Sequence, residues 1–174
     1  MARNIEIKAR IESVESLLPL VSKNADDGPT EMLQDDTFFL CPNGRLKLRV
    51  FSDHAGQLIF YQRPDSAGPK ESFYIITPTA SPDTLRHALS LAYGEAGRVR
   101  KHRTLFLVGR TRVHLDRVEE LGDFLELEVV LAEGEPAETG VREARELMTK
   151  LGVKPDQLIE DYYVDLLDKK GGRL

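Results

Sequence analysis

Apolar and charged residues alternate one by one through much of the chain. In residues 4–11, NIEIKARI, the side chains of Ile5, Ile7, Ala9 and Ile11 share one side of an extended backbone. Asn4, Glu6, Lys8 and Arg10 share the other. Such period-two alternation marks a half-buried strand. It recurs at 34–40 (QDDTFFL), 45–50 (RLKLRV), 57–63 (QLIFYQR), 71–77 (ESFYIIT), 98–108 (RVRKHRTLFLV), 110–118 (RTRVHLDRV) and 123–131 (DFLELEVVL). Pro42, Asn43 and Gly44 punctuate the second and third of these as a hairpin.

A period near 3.6 takes over in four places. Residues 13–24 form a modest helical pattern, weakened by Pro19. Residues 81–94 are stronger, with Ser81 as cap, Pro82 in the first turn and Gly94 as stop. Residues 139–152 place Val141, Ala144, Leu147, Met148 and Leu151 on one face and end at Gly152. A short helix is predicted over 155–161, followed by Tyr162 and Tyr163 docking on the body and a disordered end at 168–174. Eight strands in mostly sequential hairpins predict one domain over 1–174 of α+β class, mainly β. The expected architecture is an eight-stranded antiparallel β-barrel tunnel with helices packed outside, since closure removes exposed edges.

Composition sharpens this in few ways. A chain of 174 residues buries enough surface to fold without a disulfide or metal staple. Its single cysteine, Cys41, excludes an internal disulfide, and nothing at the N-terminus reads as a signal peptide. A reducing cytoplasm is therefore the default. No apolar run approaches the roughly 20 residues of a membrane span. The net charge of −5 argues against general affinity for nucleic acid.

The distribution of that charge says more. Lys47 and Arg49 share a strand face with Arg45; Lys101 pairs with Arg103; Arg112 and His114 lie with Arg110 and Asp116; Arg63 ends its strand beside Tyr61. Acids accumulate at Glu6 on the first strand and at Glu126 and Glu128 on the last long one. Any one of these faces could look at water, as antiparallel sheets commonly do. Together they repel, strand after strand, unless they surround something. The alternative is a barrel with its apolar faces outward under the helices and its charged faces inward. Such an interior must be wet, because an unpaired buried charge costs several kcal/mol or more. Rings of Lys and Arg suit a polyphosphate, and the E-x-E spacing of Glu126 and Glu128 suits a hard divalent cation such as Mg²⁺ or Mn²⁺.

NIEIK also resembles the E-x-E-x-K signature of CYTH proteins, the triphosphate tunnel metalloenzymes. The resemblance continues in order through DDTFF, GRLKLRV, KHRTLF, RVHLDRVEELGDFLELEV and YYVDLL, and it is nearest to the class IV adenylyl cyclase branch. It implies a triphosphate substrate and Mg²⁺ or Mn²⁺, with Glu6, Glu126 and Glu128 as metal ligands. Lys8, Lys47, Arg49, Arg63, Lys101, Arg103 and Arg112 would hold phosphates, and Lys8, Arg103 and Asp116 would act in catalysis. The activity implied is conversion of ATP to cyclic AMP and pyrophosphate. Its alternatives are hydrolysis of an inorganic, nucleoside or thiamine triphosphate, or silent polyphosphate binding. A homodimer is compatible with the family. Asn4 stands where the signature has its first glutamate, so one ligand position lacks a full charge.

Other reactive residues carry less. His114, flanked by Arg112 and Asp116, reads as structural or substrate-orienting before general base. His54, His87 and His102 show no metal spacing, and Cys41 has no base beside it.

Overall fold

The computed structural model describes residues 2–171. Eight strands close into an antiparallel barrel in the order β1-β5-β4-β3-β2-β6-β7-β8. They are β1 (Ala2–Arg10), β2 (Asp27–Phe39), β3 (Arg45–Ser52), β4 (Ala55–Gln62), β5 (Lys70–Thr79), β6 (Glu95–Val108), β7 (Thr111–Val118) and β8 (Gly122–Val130). Between and after them run α1 (Val14–Asn24), α2 (Pro82–Tyr93), α3 (Ala137–Lys150) and α4 (Tyr163–Lys170). The expected mainly-β barrel with helices outside is therefore the fold. Among the described residues no helix is long and apolar enough to cross a membrane.

On β1, β7 and β8 the apolar half of the alternation faces outward. Ile5, Ile7 and Ala9 of β1, Val113 and Leu115 of β7, and Leu125, Leu127 and Val129 of β8 are all at most 1% exposed. They form one core with Val14 and Val21 of α1 and Ala144, Leu147 and Met148 of α3. Helix α3 lies so close to β1 that a Cβ on Gly140 would fall 2.6 Å from Ile5 Cγ1. Ordinary side chains never approach that near, so glycine permits the packing. Helix α1 runs through Pro19 without breaking. Its first turn is tied down twice: Ser13 Oγ accepts from the Ser16 amide at 3.1 Å and Asp123 accepts from the Val14 amide at 2.7 Å. Burial of Val14 and Val21 then outweighs the one lost backbone bond.

Some expectations change. Ser81 stands at the N-cap of α2, but its side chain makes no capping bond; Gly94 ends the helix at φ 79°, the left-handed region that favours glycine. Strand β2 begins at Asp27, seven residues before the alternation is visible, because the stretch with Gly28 and Pro29 pairs with β6 despite its turn-like composition. The helix expected over 155–161 shrinks to a 3₁₀ turn at Pro155–Gln157, after which Leu158 bridges to Ala9. The chain then forms α4 through Lys170, where a disordered end was expected; residues 172–174 lie outside the described residues. Helix α4 holds because Tyr163 and Val164 are buried and Asp165 pairs with Arg45 at 2.8 Å.

The inner face is not uniformly ionic. At one end Phe38, Val99, Val118 and Phe124 meet Tyr163 and Val164 of α4 in a second apolar cluster. Each of these four strand residues continues the inner face of a charged strand by one more step. The bore is thus a charged belt bounded at one end by an apolar layer.

Candidate active site: a charged belt inside the barrel

The belt surrounds a cavity of about 1230 Å³, counting its open space. Lys8, Lys47, Arg49, Arg63, Lys101, Arg103 and Arg112 all line it, as do Glu6, Glu126 and Glu128. Strand register explains the grouping. Across β1 and β8, Glu6 stands opposite Glu128 and Lys8 opposite Glu126. Across β7 and β8, Arg112 faces Glu128 and His114 faces Glu126. Across β2 and β3, Asp36 faces Arg49 and Phe38 faces Lys47.

Each acid is matched to bases. Arg103 grips Asp116 in a fork, Nε to Oδ1 and Nη2 to Oδ2, both at 2.7 Å, and also donates to Glu126 Oε2 at 2.8 Å. Lys8 Nζ lies 3.3 Å from Glu126 and 3.9 Å from the centre of the Tyr163 ring. Arg112 donates to Glu128 at 2.9 Å and Arg63 to Glu6 at 2.6 Å. Asp36 is shared by Arg49 at 2.7 Å, Lys47 at 3.3 Å and Lys101 at 3.9 Å.

Burial strains this balance. It lowers Lys101, next to Arg103, to a pKa of about 7. It lowers Lys47, next to Arg49, to about 8. For Glu128 burial pushes upward, but His114 and Arg112 outweigh it and the pKa falls to about 2. Glu6 goes the other way: burial raises it against the pull of Arg63, with Glu128 and Glu126 adding to the rise. A cation placed among these three carboxylates would relieve that repulsion.

The donor set fits a divalent ion. One ligand atom each from His114, Glu126 and Glu128 lies within 4.8 Å of the others. Glu6 is not in that group; its carboxylate is taken up by Arg63. Asp116, expected to act directly in catalysis, does not line the cavity and has no exposed surface. Its oxygens are occupied by Arg103 and by the Tyr163 hydroxyl, which donates at 3.0 Å.

Several lining residues went unassigned in the sequence. Asp36 continues the inner face of Gln34 and Phe38, and period two alone would have placed it there. Tyr162 and Tyr163, expected to dock on the body, reach into the bore from the cap and first residue of α4. Tyr162 lies 5.7 Å from Tyr61 and beneath Arg63, whose guanidinium sits 3.8 Å from the ring centre. No local signal pointed to them, because their placement depends on where the last segment folds back. At the other end Phe51 (38% exposed) and Ile76 (43% exposed) line an open mouth with Met32 and Leu105.

Comparison with known proteins places the fold. The chain belongs to the CYTH domain family, whose model matches residues 2–163. No curated protein matches it. Among solved structures, a protein from Pyrococcus horikoshii is similar with TM-score 0.83 and 22% identity over 94% of this chain and 98% of that one. A candidate adenylate cyclase from Vibrio parahaemolyticus has TM-score 0.74 and 19% identity, covering 95% of this chain and 97% of that one. A candidate adenylyl cyclase from Hippeastrum, described as having dominant triphosphatase activity, has TM-score 0.66 and 15% identity, covering 100% of this chain and 97% of that one. At such identities the likeness is one of fold.

Proposed function

We propose that this chain binds an organic triphosphate in the bore and processes it with a divalent metal ion, Mg²⁺ or Mn²⁺. One observation carries the reading. Among the described residues seven basic side chains line the cavity against four carboxylates, in a chain whose overall net charge is −5. The barrel therefore concentrates positive charge where outside water is restricted, which suits a polyanion of several charges.

The residues divide by task. Lys47, Arg49, Arg63, Lys101 and Arg112 bind phosphate oxygens and neutralise charge as it shifts during reaction. Arg103 and Lys8 sit between the acidic cluster and the rest of the bore, so they orient the phosphate under attack. Asp116 acts through Arg103: it holds the guanidinium plane, with Nη2 bridging from Asp116 to Glu126 in the belt. Glu126 and Glu128 with His114 would hold the metal, which would supply charge neutralisation and polarise the phosphorus centre. Glu6 stands beside Glu128 and is available to the same ion after leaving Arg63.

The mouth lined by Met32, Phe51, Ile76 and Leu105 offers apolar surface for a nucleoside. In the reaction implied by the class IV resemblance, the 3′-hydroxyl oxygen of ATP attacks the α-phosphorus. The bond to the bridging oxygen breaks, and cyclic AMP and pyrophosphate form. Hydrolysis is the second reading, favoured by the triphosphatase activity described for the Hippeastrum protein; water would then attack the terminal phosphorus and release phosphate.

Incubation of the full chain with ATP, inorganic triphosphate or thiamine triphosphate, each with Mn²⁺ or Mg²⁺, separates these outcomes by product. Cyclic AMP with pyrophosphate supports cyclisation, and released phosphate supports hydrolysis. Tight binding with no product under any condition overturns both in favour of a silent binding module; absence of binding overturns the site itself.

A further inference from the structure

We infer that His114 is a direct metal ligand through Nδ1, and that this nitrogen donor makes the site prefer a first-row transition ion such as Mn²⁺ over Mg²⁺. The inference rests on the metal-dependent reading above and deepens it.

His114 is 4% exposed and lines the cavity, so its ring is almost wholly buried. Among the described residues its Nδ1 has no hydrogen-bond partner. Buried polar atoms of this kind are rare, and each calls for a partner that the protein alone does not supply. The nearest groups are Glu126 Oε2 at 3.6 Å and Glu128 Oε1 at 3.9 Å, both beyond hydrogen-bond range. Those separations suit a shared ion. Two ligand atoms on one ion with bonds of about 2.1 Å can stand at most roughly 4.2 Å apart, so Nδ1 is already within that reach of both carboxylate oxygens, and one ligand atom from each of the three residues lies within 4.8 Å of the others.

The ligand chemistry then sets the choice of ion. Mg²⁺ is hard, prefers oxygen and gives up its waters reluctantly. Imidazole nitrogen suits transition ions better. Asn4 lines the same cavity where the family signature has a glutamate, so an oxygen anion is lost from the first strand while a nitrogen donor faces in from β7.

The full chain loaded with Mn²⁺ tests this by pulsed electron paramagnetic resonance. A nitrogen-14 coupling of directly bound imidazole is expected in the wild type and should vanish in His114→Gln. By titration, His114→Gln should weaken Mn²⁺ binding about 10- to 100-fold while changing Mg²⁺ binding less than about threefold. Bound Mn²⁺ with no nitrogen coupling in the wild type would overturn the proposal, even if His114→Gln fails to fold. So would a variant whose Mn²⁺ to Mg²⁺ affinity ratio is unchanged. Failure of the underlying reading looks different: the wild type would then bind neither ion, with or without inorganic triphosphate.

Discussion

The two halves of the barrel wall are built on different terms. Strands β6, β7, β8 and β1 carry the acids Glu6, Asp116, Glu126 and Glu128, and their outer faces lie under α1 and α3 in the main core. Strand β3 contributes Lys47 and Arg49 to the bore, Arg63 follows directly on β4, and β2 adds a single inward carboxylate, Asp36. Their outer faces are thinly covered. Helix α2 buries only Pro82, while Ile75 is 50% and Leu91 76% exposed. The well-packed half therefore holds the metal-type ligands, whose geometry tolerates little error, together with Lys8, Lys101, Arg103 and Arg112. The thinly covered half holds mostly point charges for a flexible phosphate chain, which tolerates more error.

The largest expected effects come from removing the central carboxylate of each half. Asp116→Asn should cost about 3–5 kcal/mol of stability, because Arg103 then stays buried with only Glu126 to balance it. Asp36→Asn should destabilise comparably, since Arg49, Lys47 and Lys101 lose their shared counter-charge. The comparison predicts opposite responses to ligand. Inorganic triphosphate should recover most of the loss in Asp36→Asn, because phosphate oxygens can take the place of that carboxylate. It should recover little in Asp116→Asn, whose lost contact lies beneath the belt and does not line the cavity. Thermal melts of both variants with and without triphosphate decide this; equal rescue of the two would erase the proposed division.

Next in size is the difference in outer packing. Leu127→Ala removes a fully buried side chain between the sheet and its helices and should cost about 2–5 kcal/mol. Ile75→Ala, half exposed on the thinly covered side, should stay within about 0.5 kcal/mol. Urea unfolding at neutral pH measures both. A similar cost at the two positions would mean that the outer face of β5 is packed as effectively as that of β8.

The sequence carried this contrast unevenly. Strands with strict alternation, such as RLKLRV and DFLELEV, displayed both their extended form and their two faces, because a side-chain period of two leaves one choice of register with the core. Which face turned inward was not a local property; it followed from closure and from the charged faces being too alike to solvate separately. Asp116 shows the limit. Its alternation placed it correctly on the inner face, but the belt ends one step earlier, where Val118, Phe124 and Tyr163 close the bore. Helix α4 was missed for the same reason. Its residues look like a polar tail until Tyr163 and Val164 find the apolar layer beneath them.

A smaller effect concerns acid. Burial opposes ionisation of Glu128, yet His114 and Arg112 carry its folded pKa down to about 2, below the ordinary value of 4.5. Its pairing thus stabilises the fold fully above that ordinary value and is lost as pH falls from there through about 2. Glu128→Gln should flatten the acid limb of a stability profile taken between pH 5 and 2. An unchanged limb would place the acid sensitivity in other carboxylates.

The smallest expected signal is also the one that links the two halves. In the free protein, burial and neighbouring arginines depress Lys101 to about 7 and Lys47 to about 8. A polyphosphate beside them favours the charged ammonium and raises both values. Between the free and bound pKa values the complex holds more protons than its separate parts, so affinity is highest below about pH 7 and declines as pH rises through 7 to 8. Calorimetric titration with inorganic triphosphate at pH 7.5, about midway between those values, should show net uptake of up to about one proton when buffers of different ionisation enthalpy are compared. The uptake should shrink at pH 6, where both lysines are already charged before binding. It should shrink also in Lys101→Arg, whose guanidinium stays charged throughout. Uptake that persists unchanged in that variant would move the proton to another group and separate Lys101 from the phosphate.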